Sequence, residues 1–256
     1  MQRKIIDFHT HPYLKDEDNI CSYKNVLQLS ENKKYLEEAG IAKICGSVIS
    51  PSAPPTWETT QRLNDEGLKI RELFPDFYVP GFLVHPKFVK ESVREVERMA
   101  KLGVGLVGEL VPYMYAWHYG DDGFEEILEA VEAYRLPVSF HTMPDEMDVM
   151  EGYVKRHPKI NFIAAHPGEK AQYLRHIRLL KEHENYYLDL SGSGMFRFGM
   201  LRYGIDEAGA EKFLFGTDFP VCHPFMNIGG IENDYTLTEA EKQAVFFDNA
   251  QRLLNL

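Results

Sequence analysis

Residues 4–11 read Lys-Ile-Ile-Asp-Phe-His-Thr-His, a short apolar run that ends in two histidines separated by one residue. Side chains of a β-strand alternate between its two faces, so His9 and His11 are expected to point to the same side. Two neutral imidazoles on one face can hold a divalent metal when further nitrogen or oxygen ligands join them. Taken alone, the pair is explained equally well as two surface or core-edge histidines. The rest of the chain has to decide between the two interpretations.

The composition is that of an ordinary globular protein with an excess of acidic residues. Of the 256 residues, 44% are hydrophobic and 26% are charged, and the formal net charge is −11. This charge repels a phosphate backbone and argues against nucleic acid as a partner. Cys21, Cys45 and Cys222 are odd in number and lack metal-binding spacing, which predicts no disulfide framework and a reducing, cytoplasmic location. No apolar run approaches the ~20 residues of a membrane span, and the N-terminus does not resemble a signal peptide.

Strand-like apolar runs alternate with amphipathic helical segments about eight times along the chain, at near-even spacing. This alternation predicts an α/β fold, a single (β/α)8 TIM barrel with extended loops after the strands. The barrel is expected to span residues 1–256, with no appended second domain. An open doubly wound sheet is the structural alternative, but it rarely contains eight such units, and a glycine-rich phosphate loop is missing. The segment 12–30 is predicted as a long loop, and a final helix is predicted over 238–254.

Metal-ligand side chains follow several of the predicted strands. The strand ends carry His9 and His11 (strand 1), Glu109 (strand 4), His141 (strand 5), His166 (strand 6) and Asp218 (strand 8). The C-terminal ends of barrel strands open on one face, so these six side chains are expected to converge there. Imidazole and carboxylate donors suit Zn²⁺ best, with Mn²⁺ or Fe²⁺ as alternatives.

The number of metal ions is left open by the sequence. A two-ion site bridged by Glu109 would use all six side chains. A one-ion site would use His9, His11, His141 and Asp218, and it would leave His166 as a polarising or acid–base group.

The same residues, with others along the whole chain, resemble the amidohydrolase superfamily and, within it, the amidohydrolase-related (amidohydrolase 2) family. The matching segments are residues 6–11, Asn64-Asp65, 74–76, Gly81-Phe82, His85-Pro86, 136–138, His141-Thr142, 165–168, 215–220 and 248–254. The resemblance implies a TIM barrel with a metal centre at the strand ends. One feature departs from the pattern of many members, because Val107-Gly108-Glu109 looks more like the bridging glutamate of TatD-like deoxyribonucleases.

The resemblance and the donor set predict a metal-dependent hydrolase that cleaves a small amide, ester or lactone. Asp218 is expected to take a proton from the attacking water and return it to the leaving group, and His166 is the second candidate catalytic residue. The main alternative is a non-oxidative decarboxylase of the same family. A TatD-like phosphoesterase or deoxyribonuclease is less favoured because of the negative net charge. A non-catalytic barrel is disfavoured because every proposed ligand type is present.

Four further residues are candidates for contact with a small-molecule substrate: His85, Tyr113, Arg197 and His223. Each has a simpler explanation, such as the end of strand 3 for His85 and a solvated surface position for Arg197. Asp7 is interpreted as a buried hydrogen-bonding partner. His157, His176 and His183 are expected on the outer helices, in contact with solvent. Assembly into a homo-oligomer is left open.

Overall fold

The computed structural model describes residues 3–23, 29–195 and 197–256, and within them strands and helices alternate along the chain. The strands are β1 (Ile5–Asp7), β2 (Ile41–Gly46), β3 (Tyr78–Pro80), β4 (Val107–Leu110), β5 (Val138–His141), β6 (Phe162–Ala165), β7 (Tyr186–Asp189) and β8 (Phe213–Leu214). The α-helices are α1 (Leu29–Glu38), α2 (Trp57–Leu73), α3 (Val89–Lys101), α4 (Phe124–Ala133), α5 (Met147–Arg156), α6 (Lys170–Glu182), α7 (Met200–Ala208), α8 (Pro224–Glu232), α9 (Glu239–Gln243) and α10 (Asn249–Leu254).

The strands form two parallel sheets in sequential order, β1-β2-β3 and β4-β5-β6-β7-β8. At one seam between the sheets, Phe82 and Val107 form a parallel bridge. The Phe82 amide donates to the Leu106 carbonyl at 3.1 Å, and the Gly108 amide donates to the Phe82 carbonyl at 2.7 Å. These bonds continue the sheet from the β3 end to β4.

The second seam lies between the segments that follow β1 and β8. Thr10 and Phe219 form a parallel bridge there. The Phe8 amide donates to the Phe215 carbonyl at 2.9 Å, and the His11 amide donates to the Phe219 carbonyl at 2.8 Å. Hydrogen bonds therefore join the two sheets at both seams, and the predicted TIM-barrel architecture is confirmed.

Gly81 allows the strands to approach closely at the first seam. A β-carbon at position 81 would lie 1.9 Å from the carbonyl oxygen of Gly108 and 3.1 Å from the carbonyl carbon of Gly46. Both atoms belong to backbone that is fixed by the sheet, so they cannot move aside. Only glycine fits this position without opening the seam.

The outer helices bury one face against the strands, as α3 illustrates. Val96 and Met99 are buried in the core, whereas Arg94 and Glu97 of the same helix are exposed. This arrangement follows the three-to-four-residue spacing of apolar side chains that predicted the helix. None of the helices in the described part of the chain is long and apolar enough to span a membrane.

The structure corrects several details of the sequence-based predictions. The predicted final helix begins with a capping box of Thr238 and Glu241, but a π-helical turn (Ala244–Asp248) separates α9 from α10. After this wider turn, the buried Asn249 donates to the carbonyls of Ala210 and Phe213, each at 2.8 Å, which ties the C-terminal segment to the start of β8.

Helix α8 was not predicted from the sequence. The predicted solvent contact of two histidines is wrong, and the predicted loop 12–30 lies partly outside the described residues. His157 and His176 are buried and not solvated, because Glu125 pairs with the former and the hydroxyl of Tyr186 with the latter. Within the predicted loop 12–30, a short turn (Asp16–Asp18) forms and α1 begins at Leu29, while residues 24–28 lie outside the described part.

We predict that Asn64→Ala lowers the free energy of unfolding by about 2–4 kcal/mol. The buried Asn64 amide accepts from the Leu83 amide at 2.7 Å and donates to the Leu83 carbonyl at 3.0 Å and to Glu95 at 2.9 Å. Alanine would leave these buried groups without partners. Urea unfolding measures the change, with Gln61→Ala on the exposed side of α2 as the control, expected within about 0.5 kcal/mol of wild type. Equal stabilities of the two variants would contradict the prediction.

Candidate metal centre

The structure brings together all six side chains that the strand-end pattern singled out. The first group lies beyond β1, where the Nε2 atoms of His9 and His11 are 3.1 Å apart. Oε2 of Glu109, from β4, lies 3.3 Å from each of these nitrogens. Oδ1 of Asp218, which follows β8, lies 3.7 Å from Nε2 of His9 and 3.6 Å from Nε2 of His11. Four donor atoms from three different parts of the barrel therefore surround one point.

The second group faces the other oxygen of the same glutamate. Oε1 of Glu109 lies 3.1 Å from Nδ1 of His141, at the end of β5, and 3.5 Å from Nε2 of His166, which follows β6. Glu109 thus presents one carboxylate oxygen to each group of histidines. Its side chain is 4% exposed, so the two groups share a buried carboxylate.

Hydrogen bonds on the far side of the rings determine which nitrogens carry protons in the first group. Nδ1 of His9 lies 2.9 Å from Oδ2 of Asp189, and Nδ1 of His11 lies 2.9 Å from the carbonyl oxygen of Ser47. A carbonyl and a carboxylate can only accept, so both Nδ1 atoms donate and the neutral rings have no proton on Nε2. The lone pairs of both Nε2 atoms then face each other and the oxygens of Glu109 and Asp218. Such a set of acceptors needs positive charge among them, and its imidazole and carboxylate donors fit a divalent metal.

The charges in the centre reinforce one another. Burial alone would raise the pKa of Glu109, but His9, His11 and His141 outweigh burial and hold its pKa well below the usual range. Burial disfavours a protonated His9, yet the neighbouring carboxylates of Glu109 and Asp189 raise its pKa well above the usual value. Burial lowers the pKa of His166, which keeps this ring neutral. The shifts of Glu109 and His9 show that the first group attracts positive charge, whereas burial disfavours a charged His166 ring.

Two of the side chains depend on an unusual backbone conformation. His166 has φ of 72° and Asp218 has φ of 66°, values in the left-handed region that non-glycine residues seldom adopt. The Asp218 amide donates to the His9 carbonyl at 2.8 Å. Asp7 accepts from the amide and the hydroxyl of Thr217, at 2.9 and 2.6 Å, and so holds the turn before Asp218. The interpretation of Asp7 as a buried hydrogen-bonding partner agrees with these contacts.

The predicted substrate contacts occupy different surroundings. The Tyr113 ring packs against His141, with centroids 5.1 Å apart, and is 54% exposed, so it stands at the mouth of the centre. His223 contacts the hydroxyl of Tyr35 through Nε2 at 3.1 Å. His85 is buried and uses both ring nitrogens on backbone groups, accepting from the Lys87 amide and donating to the Tyr115 carbonyl. These bonds favour a structural role for His85.

Arg197 is engaged by neighbouring groups after β7. Its guanidinium pairs with Glu169 and donates to the Gly168 carbonyl at 3.2 Å. The ion pair compensates its charge, which weakens Arg197 as the anchor of a substrate carboxylate.

A cavity of about 650 Å³ lies beside the centre, between the loops that follow β7 and β8. It is lined by apolar side chains (Met195, Leu201, Met226, Ile231) and by polar ones (Arg197, His223, Asn227). Two of the residues that line the cavity also contact residues of the centre. Gly192 packs against the His166 ring, and the Cys222 amide donates to the Asp218 carbonyl at 3.3 Å.

Asp189, Ser191 and Ser47 were missed by the sequence-based reasoning, although each orients a histidine of the centre. Asp189 ends the apolar strand β7, so the rule that selected Glu109 and His141 would also have found it. Ser191 and the Ser47 carbonyl carry no such signal. A serine in a turn is common, and a backbone carbonyl is present at every residue.

Comparison with known proteins agrees with the fold and the site. The amidohydrolase family model matches residues 6–256, and a search of curated protein sequences gives no match. Among solved structures, 2,6-dihydroxybenzoate decarboxylase from Rhizobium is similar, with a TM-score of 0.76, 18% identity, and coverage of 99% of both chains. Dihydroxybenzoic acid decarboxylase from Polaromonas, with bound manganese and the inhibitor 2-nitroresorcinol, has a TM-score of 0.74, 20% identity, and coverage of 99% of this chain and 97% of that one.

A third similar structure is 5-carboxyvanillate decarboxylase from Novosphingobium aromaticivorans, complexed with manganese and 4-hydroxy-3-methoxy-5-nitrobenzoic acid. Its TM-score is 0.75 and its identity 13%, with coverage of 99% of this chain and 96% of that one. At these identities the likeness concerns the fold, whereas the family model spans nearly the whole sequence. The chain belongs to the amidohydrolase family, as the motifs in its sequence predicted.

Proposed function

We propose that this protein is a metal-dependent hydrolase with a two-ion centre bridged by Glu109. One observation carries the proposal, namely that the two carboxylate oxygens of Glu109 face two separate groups of histidines. His9, His11 and Asp218 would hold the first ion, and His141 and His166 the second. The imidazole-rich donor set favours Zn²⁺, and Mn²⁺ is the alternative that the manganese-containing structural relatives suggest.

The tautomer of His166 supports its assignment as a ligand. Nδ1 of His166 lies 3.0 Å from the hydroxyl oxygen of Ser191, whose own proton is donated to Asp189. Nδ1 must therefore donate, and Nε2 of the neutral ring has a lone pair but no proton. Without that proton, His166 cannot polarise a substrate carbonyl by donating a hydrogen bond. The same lone pair is what a metal ligand requires.

A divalent metal held by these residues would supply Lewis acidity, which would lower the pKa of water toward about 7 and polarise the substrate carbonyl. Asp218 accepts the proton that the attacking water loses and returns it to the leaving group. Its carboxylate is 13% exposed and faces both the histidines and the open mouth of the barrel, as this role requires. Tyr113 covers one side of the mouth and would limit the access of water.

The cavity beside the centre indicates the kind of substrate. Its volume accommodates a small molecule, and its apolar side chains would hold an apolar group next to the scissile bond. We therefore propose a small amide, ester or lactone with an apolar substituent. The free state of Cys21, Cys45 and Cys222 agrees with the further proposal of a reducing, cytoplasmic location.

Non-oxidative decarboxylation of an aromatic acid is the second candidate. The named activities of the structural relatives favour it. The ion pair of Arg197 with Glu169 counts against it, because a substrate carboxylate would need an available cation in the pocket besides the metal. Release of CO₂ from hydroxylated benzoates, measured beside hydrolysis of a panel of lactones, esters and amides, separates the two activities.

We predict that the metal-reconstituted protein contains about two equivalents of divalent metal and that Glu109→Gln contains at most about one. Glutamine keeps the shape of the side chain but loses the charge that both groups share. Elemental analysis after removal of excess metal measures the content, and Glu129→Gln on the exposed surface of α4 serves as the control. Wild-type protein with less than about a tenth of an equivalent after addition of Zn²⁺ or Mn²⁺ would refute a metal centre.

We predict that Asp218→Asn lowers kcat about 10²–10⁴-fold on the best substrate of the panel. The amide keeps the size and one oxygen but cannot accept the proton. Metal content is measured in parallel, so that loss of an ion is distinguished from loss of proton transfer. The exposed Asp122→Asn is the control. Unchanged turnover in Asp218→Asn would remove Asp218 from the mechanism.

A further inference from the structure

Asp189 is a fully buried carboxylate that the proposed reaction does not use. It ends β7, beneath the metal centre, and its side chain has no exposure to solvent. Its two oxygens have different partners. Oδ2 accepts from Nδ1 of His9 at 2.9 Å, while Oδ1 accepts from the amide of Ser191 at 3.0 Å and from the Ser191 hydroxyl.

Ser191 links Asp189 by hydrogen bonds to His166 in the second group of histidines. Its hydroxyl gives its only proton to Asp189, so its oxygen accepts from Nδ1 of His166 at 3.0 Å. The neighbouring Gly192 makes this contact sterically feasible. A β-carbon at position 192 would lie 2.4 Å from Nδ1 of His166, and the φ of +61° at this position also favours glycine.

The direction of these bonds has a chemical consequence. Asp189 orients His9 directly and His166 through Ser191, and in both rings it places the proton on Nδ1. In the neutral form of each ring, Nε2 is thereby left without a proton, one facing Oε2 of Glu109 and the other facing Oε1. One carboxylate thus sets the tautomer in both halves of the centre.

We propose that Asp189 is a positioning residue that couples the two halves of the metal centre, directly through His9 and by way of the Ser191 hydroxyl through His166. The proposal rests on the proposed two-ion function, and it assigns to Asp189 and Ser191 a role in metal affinity that goes beyond folding. Partners of this kind raise the affinity of a histidine site by about 10–100-fold.

Two substitutions separate the branches of the network. Ser191→Ala removes the acceptor for His166 and leaves the bond between Asp189 and His9 intact. Asp189→Asn keeps the shape but replaces one acceptor oxygen with an NH₂ group. If the amide oxygen faces His9, the NH₂ donates to Ser191, whose hydroxyl then donates to His166 and moves the His166 proton to Nε2. If the amide is flipped, its NH₂ meets Nδ1 of His9.

We predict that Ser191→Ala weakens one of two Zn²⁺-binding steps about 10–100-fold and leaves the other unchanged. Asp189→Asn is expected to weaken binding at both steps. Either orientation of the amide conflicts with the proton position on one ring, and the substitution removes the carboxylate charge that acts on both rings. Titration of the metal-free protein with Zn²⁺ in competition with a chromophoric chelator measures both affinities. Ser92→Ala is the matched control, because Ser92 is a buried serine that hydrogen-bonds the backbone of His85. It is expected to change stability without changing either affinity.

Ring-¹⁵N NMR of metal-free protein at pH 8 provides a readout independent of metal binding. In wild type, the His166 signal is expected to show the proton on Nδ1, and in Ser191→Ala it is expected to show a mixture of tautomers. A His166 proton on Nε2 in wild type, or wild-type affinities and tautomers in Ser191→Ala, would overturn the role of the network. A wild-type protein that binds no metal would instead contradict the proposed function, while the NMR result still decides whether Ser191 sets the tautomer.

Discussion

The structure is organised around one electrostatic constraint, the gathering of unprotonated nitrogens and carboxylate oxygens around Glu109. Neighbouring donor atoms lie 3.1–3.7 Å apart, and His9, His11 and Glu109 at the centre of the set are buried. In a low-dielectric interior, such a set repels itself unless positive charge lies within it. The folded barrel holds these atoms in place with hydrogen bonds on the far side of each ring, and the favourable energy of a bound cation would offset the remaining repulsion.

The barrel supplies that positional control through its backbone. The seam between the segments after β1 and β8 sets His9 and His11 beside Asp218, and the Asp218 amide is bonded to the His9 carbonyl. Asp7 fixes the Thr217 turn on the same side. At the other seam, glycine at position 81 lets the strands approach. A loss of either seam would separate donors that are far apart in sequence, and the centre depends on both.

The charged groups in and near the centre bear on the choice between hydrolysis and decarboxylation. The carboxylate of Glu109, shared by two groups of histidines, and a His166 ring without a proton on Nε2 would suit divalent ions that activate water, as the proposed hydrolysis requires. A decarboxylase has to hold a substrate carboxylate, and the one arginine expected near the pocket, Arg197, is paired with Glu169. Three of the similar solved structures are decarboxylases, and under the proposed function the difference between those enzymes and this chain would lie in the residues around the pocket.

The sequence by itself predicted the barrel, which is confirmed, and the six side chains that the structure brings together, because both depend on local periodicity and on which residues follow each strand. It also identified Asp7 as buried. It left open whether Glu109 divides its oxygens between two groups, and it could not reveal that Asp189 and Ser191 contact the Nδ1 atoms of the rings. Those relations depend on distances between strands and on hydrogen-bond directions, which only the tertiary structure decides. The prediction that His176 contacts solvent was wrong for the same reason. A polar side chain on a helix is buried when a neighbouring element provides a partner, and Tyr186 of β7 is that partner for His176.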